Sequence, residues 1–320
     1  MDIEEAVQEY LATLKRLQPL TVKGYEQRLG VFCSWVNTTN KKKATDHLKQ
    51  IQLEQVNVYV VDSFVQHLQQ THASHKAGVD GISTYTLAGY VRVIKSFLNW
   101  CLVDEEYGQY VKEPVVRRIK LPKVTLVVIE TFTDDQVASL RKVCKREQSD
   151  LLRLRDECVL YILLSTGIRA FELCTLTLGN THLDPRESYI KVLGKGQKWR
   201  EVPLDDKCRR QLKLYKQRYR QNAAPTDPLI IGRSEQKHLT VSGLEKIIRR
   251  LGEWANIQGV RCSPHTFRHT FAVNFMKTIG DIYLLSKTMG HSSVRVTEDY
   301  LKSFSGKEVR LSLLRRMNNL

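Results

Sequence analysis

The sequence predicts a mostly α, multi-domain protein: a helical domain over residues 1–110, a basic connecting stretch over 111–129, and an α+β domain with a small antiparallel sheet over 130–320. Three observations predict it. Apolar residues recur at steps of three and four through most of the chain, the period of a helix with one buried face. One segment, Tyr189–Leu204, breaks that rhythm into alternation around a Gly-Lys-Gly turn. Pro114 and Pro122 bracket a cluster of basic residues, which disfavours a continuous helix there. The length of 320 residues also suits two domains, and 42% hydrophobic residues suffice for two cores.

Taken in order, Ile3–Leu17 is amphipathic. Val22, Tyr25, Leu29 and Phe32 form one stripe; Val61, Phe64, Val65 and Leu68 form a second. Leu87, Val91, Ile94, Leu98 and Cys101 form a third behind a Ser83-Thr84 cap signal. Thr38–Lys43 and Thr71–Gly81 read as loops between them. Glu113–Lys123 reads as an interdomain linker that runs along a phosphate backbone, with Arg117, Arg118, Lys120 and Lys123 as contacts; a solvated basic linker fits the same residues. Thr133-Asp134-Asp135-Gln136 is a capping box before a helix. An apolar helix follows through Cys158–Leu164. Ile190 and Val192 alternate with polar neighbours, Gly194-Lys195-Gly196 turns the chain, and Trp199–Leu204 returns as a hairpin. Leu229-Ile230-Ile231 is expected to add a short strand, and helices dominate to the end.

The formal charge is +16, and it is uneven. Residues 1–125 hold 16 basic and 13 acidic side chains, whereas the remainder holds 34 and 21. The positive field therefore sits on the C-terminal part, where it suits a polyanionic partner. The seven cysteines are scattered without a C-x-x-C pair, so buried free thiols in a reducing compartment are expected, and no zinc site. The acidic start Met1-Asp2-Ile3-Glu4-Glu5 lacks a signal-peptide core, and no run of about 18 apolar residues spans a membrane. A cytoplasmic protein without a membrane partner is expected.

Four segments carry chemistry. In Thr166-Gly167-Ile168-Arg169-Ala170-Phe171-Glu172, glycine permits a turn that aims Arg169 into a cleft, and Glu172 would pin its guanidinium. A weak surface pair has the same spacing. Lys195 stands at the hairpin tip, where a lysine can reach a leaving-group oxygen; Lys198 competes for that role. Ser263-Pro264 starts a helix whose first turn carries His265 and Arg268, an arrangement suited to an anion. An incidental H-x-x-R on a capped surface helix would look alike. Gly290 reads as a helix C-cap with His291 just beyond, and Tyr300 follows nine positions later.

No single segment decides the matter, but the ordered combination resembles the tyrosine recombinase (phage integrase) family over about residues 130–305. In residues 1–125 the likeness rests on helical character and position alone. The resemblance implies a helical core-binding domain and an α+β catalytic domain that together clamp duplex DNA. It implies that Arg169 and Arg268 hold the nonbridging oxygens of the scissile phosphate, and that Lys195 protonates the departing 5′-oxygen. His265 would assist proton transfer, His291 would hydrogen-bond the phosphate, and Glu172 would support Arg169. Tyr300 would be the nucleophile, leaving a 3′-phosphotyrosyl enzyme and a free 5′-hydroxyl. Every position of the catalytic set holds its usual residue type; Leu301-Lys302 is a minor departure. Lys198 and Arg200 join the linker residues as DNA-binding candidates.

The chemistry agrees with this assignment. A neutral tyrosine has a pKa of about 10 and needs nearby cations to favour its phenolate. Donors aimed at the phosphate would each contribute roughly 2.7–4 kcal/mol. No metal and no cofactor are required. The resemblance further implies a homotetramer on two recombination sites, possible accessory proteins, and no arm-binding domain ahead of Ile3. Phe304, Val309, Leu313 and Leu314, set among Lys307, Arg310, Arg315 and Arg316, would dock the C-terminal tail on the neighbouring protomer; packing on its own domain is the alternative. The irregular insertion His72–Gly81 points to a mobile element rather than chromosome-dimer resolution. Two other functions use overlapping features. A type IB topoisomerase would relax supercoils without exchanging partners, and a DNA-binding protein of the same fold would form no covalent adduct.

Overall fold

Helix starts in this chain are set by small polar residues. Ser83, Thr133, Ser149, Asp205, Thr240, Ser263 and Asp281 each accept a backbone N–H from the first turn of the helix that follows. Each such cap is worth about 1 kcal/mol. The structure, a computed structural model, describes residues 1–43, 52–71, 81–124, 130–194, 198–232, 237–291 and 297–298, with 38–43 as backbone only. The chain divides into two units, Met1–Leu126 and Val127–Leu320.

The first unit contains α1 (Ile3–Thr13), α2 (Pro19–Lys43), α3 (Val58–Thr71), α4 (Thr84–Val103) and α5 (Glu113–Arg118). The α4 stripe Leu87, Val91, Ile94, Leu98 and Cys101 is fully buried and forms the middle of the core. Aromatic rings fill the space around it. Tyr10 of α1 lies 5.7 Å from Phe97, while Phe64 meets Phe32 edge-on at 5.1 Å and Tyr90 at 5.8 Å. Cys33 and Cys101 belong to this core, and burial pushes both thiols up to about 12.

Two expectations are corrected here. Thr38–Lys43 is not a loop, since α2 runs through Lys43. No Gly or Pro interrupts residues 31–43, and lysine is a good helix former. The stretch 111–129 does not begin as a linker either. Pro114 sits in the first turn of α5, where its missing N–H has no carbonyl to satisfy. Val111, Val116 and Ile119 are buried in the first unit's core, and Lys95 Nζ donates to the Ile119 carbonyl at 2.9 Å. Arg117, Arg118, Lys120 and Lys123 remain exposed.

The second unit contains α6 (Asp134–Val143), α7 (Asp150–Thr166), α8 (Ala170–Cys174), α9 (Asp206–Tyr219), α10 (Val241–Trp254), α11 (Pro264–Thr278) and α12 (Ile282–Met289). Its sheet comprises β1 (Thr181–Leu183), β2 (Ser188–Leu193) and β3 (Trp199–Pro203), antiparallel in the order β1-β2-β3. Helix α7 is buried along Leu154, Cys158, Val159, Leu160, Ile162 and Leu163, which makes it the core element. Ile190, Val192 and Val202 turn inward from the sheet, and Lys191 pairs with Glu201 across the strands at 3.2 Å. The hairpin base is closed by the Gly194 N–H donating to the Lys198 carbonyl at 2.9 Å. Strand β1 is an element the sequence reading missed. Among the described residues Leu229–Ile231 is buried and forms no named strand; isolated bridges at Thr177–Pro228 and Ile231–His238 pair its two ends. Pro228 has no N–H to extend a ladder, and the pairing stays limited to single bridges.

Candidate active site

The site is built in the second unit, beginning where α7 stops. Gly167 adopts φ +58°, and a side chain there would collide with the Phe271 ring. The reversal sets Arg169 as the N-cap of α8. The Arg169 N–H donates to Glu172 Oε2 at 2.8 Å, and Arg169 Nη1 donates to Glu172 Oε1 at 3.0 Å. The same guanidinium reaches the Met289 carbonyl at 3.4 Å and the Gly290 carbonyl at 3.2 Å. Its side chain stays 40% exposed, whereas Glu172 is 3% exposed.

A second arginine meets Glu172 from the sheet. Arg200 donates to both carboxylate oxygens, at 3.0 and 2.8 Å, and through Nε to the Thr288 carbonyl at 2.9 Å. Arg200, one of the DNA-binding candidates, has a side chain that is 13% exposed and turned toward Glu172. Burial alone would raise the Glu172 carboxyl, but the Arg200 hydrogen bonds, the Arg169 N–H and both charges hold it below its ordinary range.

Helix α11 supplies the next pair. Ser263 accepts the Thr266 N–H at 3.2 Å, and Pro264 takes the first turn. Arg268 projects from the second turn into the interior and is 5% exposed. It donates to the Gly167 carbonyl at 2.7 Å, to the Met289 carbonyl at 3.0 Å, and to His291 Nε2 at 2.9 Å. One turn apart on the same helix, His265 and His269 share an Nε2–Nε2 hydrogen bond of 3.0 Å.

His291 follows the α12 C-cap. Gly290 adopts φ +65° there, and an added Cβ would lie 2.8 Å from the Arg200 guanidinium carbon. Arginine only donates, so His291 Nε2 is the acceptor and the ring proton sits on Nδ1, which donates to Thr297 Oγ1 at 2.7 Å. Burial and then the charges of Arg268, Arg169 and Arg200 push His291 down to about 4. His269 is lowered to about 3 by burial and by His265 and Arg268, and His265 is lowered by burial and by Arg268 and Arg261. All three imidazoles are therefore neutral at pH 7. Arg169 and Arg200 pair with one carboxylate, Glu172, while Arg268 meets Arg169 at the Met289 carbonyl, so the cluster of three guanidinium groups keeps a positive charge suited to an anion.

The structure thus brings Arg169, Glu172, His265, Arg268 and His291 into one unit, with the Arg169, Arg268 and His291 side chains converging around Met289–Gly290. Lys195 and Tyr300 lie outside the described residues; Thr297 and Glu298, just ahead of Tyr300, are helical. Lys198 is exposed at the hairpin mouth. Among the described residues no cluster of His, Cys, Asp and Glu could hold a metal ion, and no helix is long and apolar enough to cross a membrane. The insertion 72–80 and the tail 301–320 are also outside the described residues.

Residues 130–306 match the model of the phage integrase family. The chain belongs to that family. It is thus an enzyme of site-specific recombination, of the tyrosine recombinase type. A tyrosine recombinase XerD from Listeria innocua is 25% identical over 303 residues, covering 93% of each chain. Two solved structures are similar in fold. One is the XerH site-specific recombinase bound to a palindromic difH substrate in a post-cleavage complex; its TM-score is 0.71 at 19% identity, over 95% of this chain and 82% of that one. The other is a lambda integrase tetramer bound to a Holliday junction, with a TM-score of 0.67 at 14% identity, over 94% of this chain and 77% of that one.

Proposed function

We propose that this recombinase cuts and rejoins duplex DNA through a 3′-phosphotyrosyl intermediate formed on Tyr300. The observation that carries the reading is the meeting of two arginine forks at the Met289 carbonyl, with His291 Nε2 on one of them. A phosphodiester seated there would take charge-assisted hydrogen bonds from Arg169 and Arg268 on its nonbridging oxygens. The phenolic oxygen of Tyr300 attacks phosphorus, and the bond to the 5′-oxygen breaks. Lys195 supplies the proton that the 5′-oxygen takes up, and neutral His265 accepts the tyrosine proton. His291 hydrogen-bonds the phosphate. The reverse reaction, with a 5′-hydroxyl from another strand, reseals the backbone without external energy, because one phosphoester replaces another.

DNA engagement draws on the exposed Arg117, Arg118, Lys120, Lys123 and Lys198, and on the net positive charge of the chain. Four copies on two recombination sites would exchange strands in pairs, with the C-terminal tail docking on a neighbour; the lambda integrase tetramer supports this reading by its likeness in fold. The substrates we assign are the ends of a mobile element, a reading that rests on the insertion at 72–81.

Covalent capture tests the proposal. Wild type and Tyr300→Phe are incubated with end-labelled DNA from the element's boundaries, nicked so that the cleaved strand diffuses away. A protein–DNA adduct on denaturing gels with wild type alone is the expected result. An adduct with Tyr300→Phe would remove Tyr300 from its role. Salt-sensitive binding without an adduct by either protein would favour a DNA-binding protein without catalysis.

A further inference from the structure

We infer that Arg200 is a positioning residue for the cleavage step: it neutralises and fixes Glu172, so that Arg169 directs its charge at the phosphate, and it seats the turn that carries His291. The inference rests on the roles proposed above for Arg169 and His291.

The argument starts from strand geometry. Arg200 is paired with Val192 across β2 and β3 and stands two residues before Val202, so it shares the inward face of the sheet with two buried valines. A guanidinium on such a face needs partners. It finds them on two other segments. Both Nη atoms bind the Glu172 carboxylate as a fork, and Nε binds the Thr288 carbonyl in the last turn of α12. The guanidinium also occupies the space beside Gly290 that any Cβ would need. Three stretches of chain are tied at one group: the hairpin that bears Lys195, the segment of Arg169 and Glu172, and the Thr288–His291 turn.

The electrostatic consequence follows. With Arg169 alone, the Glu172 carboxylate would cancel the positive charge meant for the substrate. Arg200 supplies a second cation to that carboxylate, so Arg169 keeps its orientation and retains net attraction for an anion. Nε, Nη1 and Nη2 of Arg200 each hold a partner within the unit.

The test uses full-length Arg200→Ala, Arg200→Lys and Glu172→Gln, with Tyr300→Phe as control. Single-turnover cleavage is measured at saturating nicked DNA, once with an ordinary scissile phosphate and once with a methylphosphonate, whose uncharged phosphorus asks less of Arg169. Arg200→Ala is expected to slow phosphate cleavage roughly 10- to 100-fold, the range typical of residues that orient another ligand. DNA affinity and its salt dependence stay at wild-type values. Relative to wild type, the loss shrinks on the methylphosphonate. Arg200→Lys restores part of the rate, since it keeps the charge without the fork. Combining Arg200→Ala with Glu172→Gln costs less than the sum of the single losses.

An equal loss on both substrates would overturn the action through Arg169. So would wild-type cleavage at saturation with a salt slope lowered by about 0.9, which marks one lost phosphate contact. If Arg200→Ala does not fold, as read by its melting curve, Arg200→Lys and Arg200→Gln carry the same comparison. Cleavage by Tyr300→Phe would mean that the underlying catalytic reading fails; a dead Tyr300→Phe beside a fully active Arg200→Ala overturns only this inference.

Discussion

The two units bury different kinds of side chain. Among the described residues of the first unit, the fully buried positions are apolar or aromatic. Among the described residues, the buried polar and charged side chains belong to the second unit, including Arg155, Asp156, Glu172, Arg268 and His269. Burying such groups is costly unless each finds partners. Around Asp156 the partners are structural: Arg155 Nε donates at 3.0 Å and Arg250 pairs with the other oxygen. Around Met289 and Gly290 they form the site. The described core of the first unit is held chiefly by apolar and aromatic packing. The second accepts desolvated charge because its cations must be fixed before a substrate arrives, so that little reorganisation remains at the moment of reaction.

If that contrast is right, the largest effect on stability comes from the first unit. Phe64→Ala deletes the ring that meets Phe32, Trp35 and Tyr90. Denaturant unfolding is expected to show a loss of about 3–5 kcal/mol, with cleavage at saturating DNA unaffected. A matching loss of cleavage rate would break the division of labour. Next comes Arg268→Ala, expected to slow cleavage roughly 10²–10³-fold. It also leaves the Gly167 and Met289 carbonyls without their donor, costing about 1–3 kcal/mol in stability. A variant with wild-type cleavage would show that the buried charge serves folding only.

The smallest effect is on pH dependence. His265, His269 and His291 have folded pKa values below the ordinary 6.5, with His269 near 3 and His291 near 4. The unfolded chain binds their protons first, so their stabilising contribution is full above about pH 6.5 and is lost as pH falls toward about 4 for His291 and about 3 for His269. Melting temperature should fall across that window, and His269→Gln should make the fall shallower. An unchanged slope would remove His269 from the linkage.

Much of this was legible in the sequence because it is written in local spacing. Ser263-Pro264, the Thr133 capping box and the α4 stripe announce helices through contacts within one or two turns. Gly167 and Gly290 announce reversals because only a few residues tolerate their φ. The family motifs pointed to Arg169, Glu172, His265, Arg268 and His291, and Arg169, Arg268 and His291 meet at Met289–Gly290. What escaped depends on distant partners. Strand β1 is three residues long, too short for alternation, and exists by pairing with β2. Thr297 is a partner of His291 through a hydrogen bond between side chains six positions apart. His269 was within reach, standing four residues after His265 on the same helical face. Arg200 was readable too: its two-residue offset from Val202 marks the inward face, and only its charge suggested otherwise.

The carbonyls of Gly167, Met289 and Gly290 hold both Arg169 and Arg268. These acceptors belong to the main chain, so no point mutation can delete them; it can only bend the path that presents them. The reversals at Gly167 and Gly290, with φ of +58° and +65°, set that path, so a side chain added at either one would shift acceptors of both arginines at once.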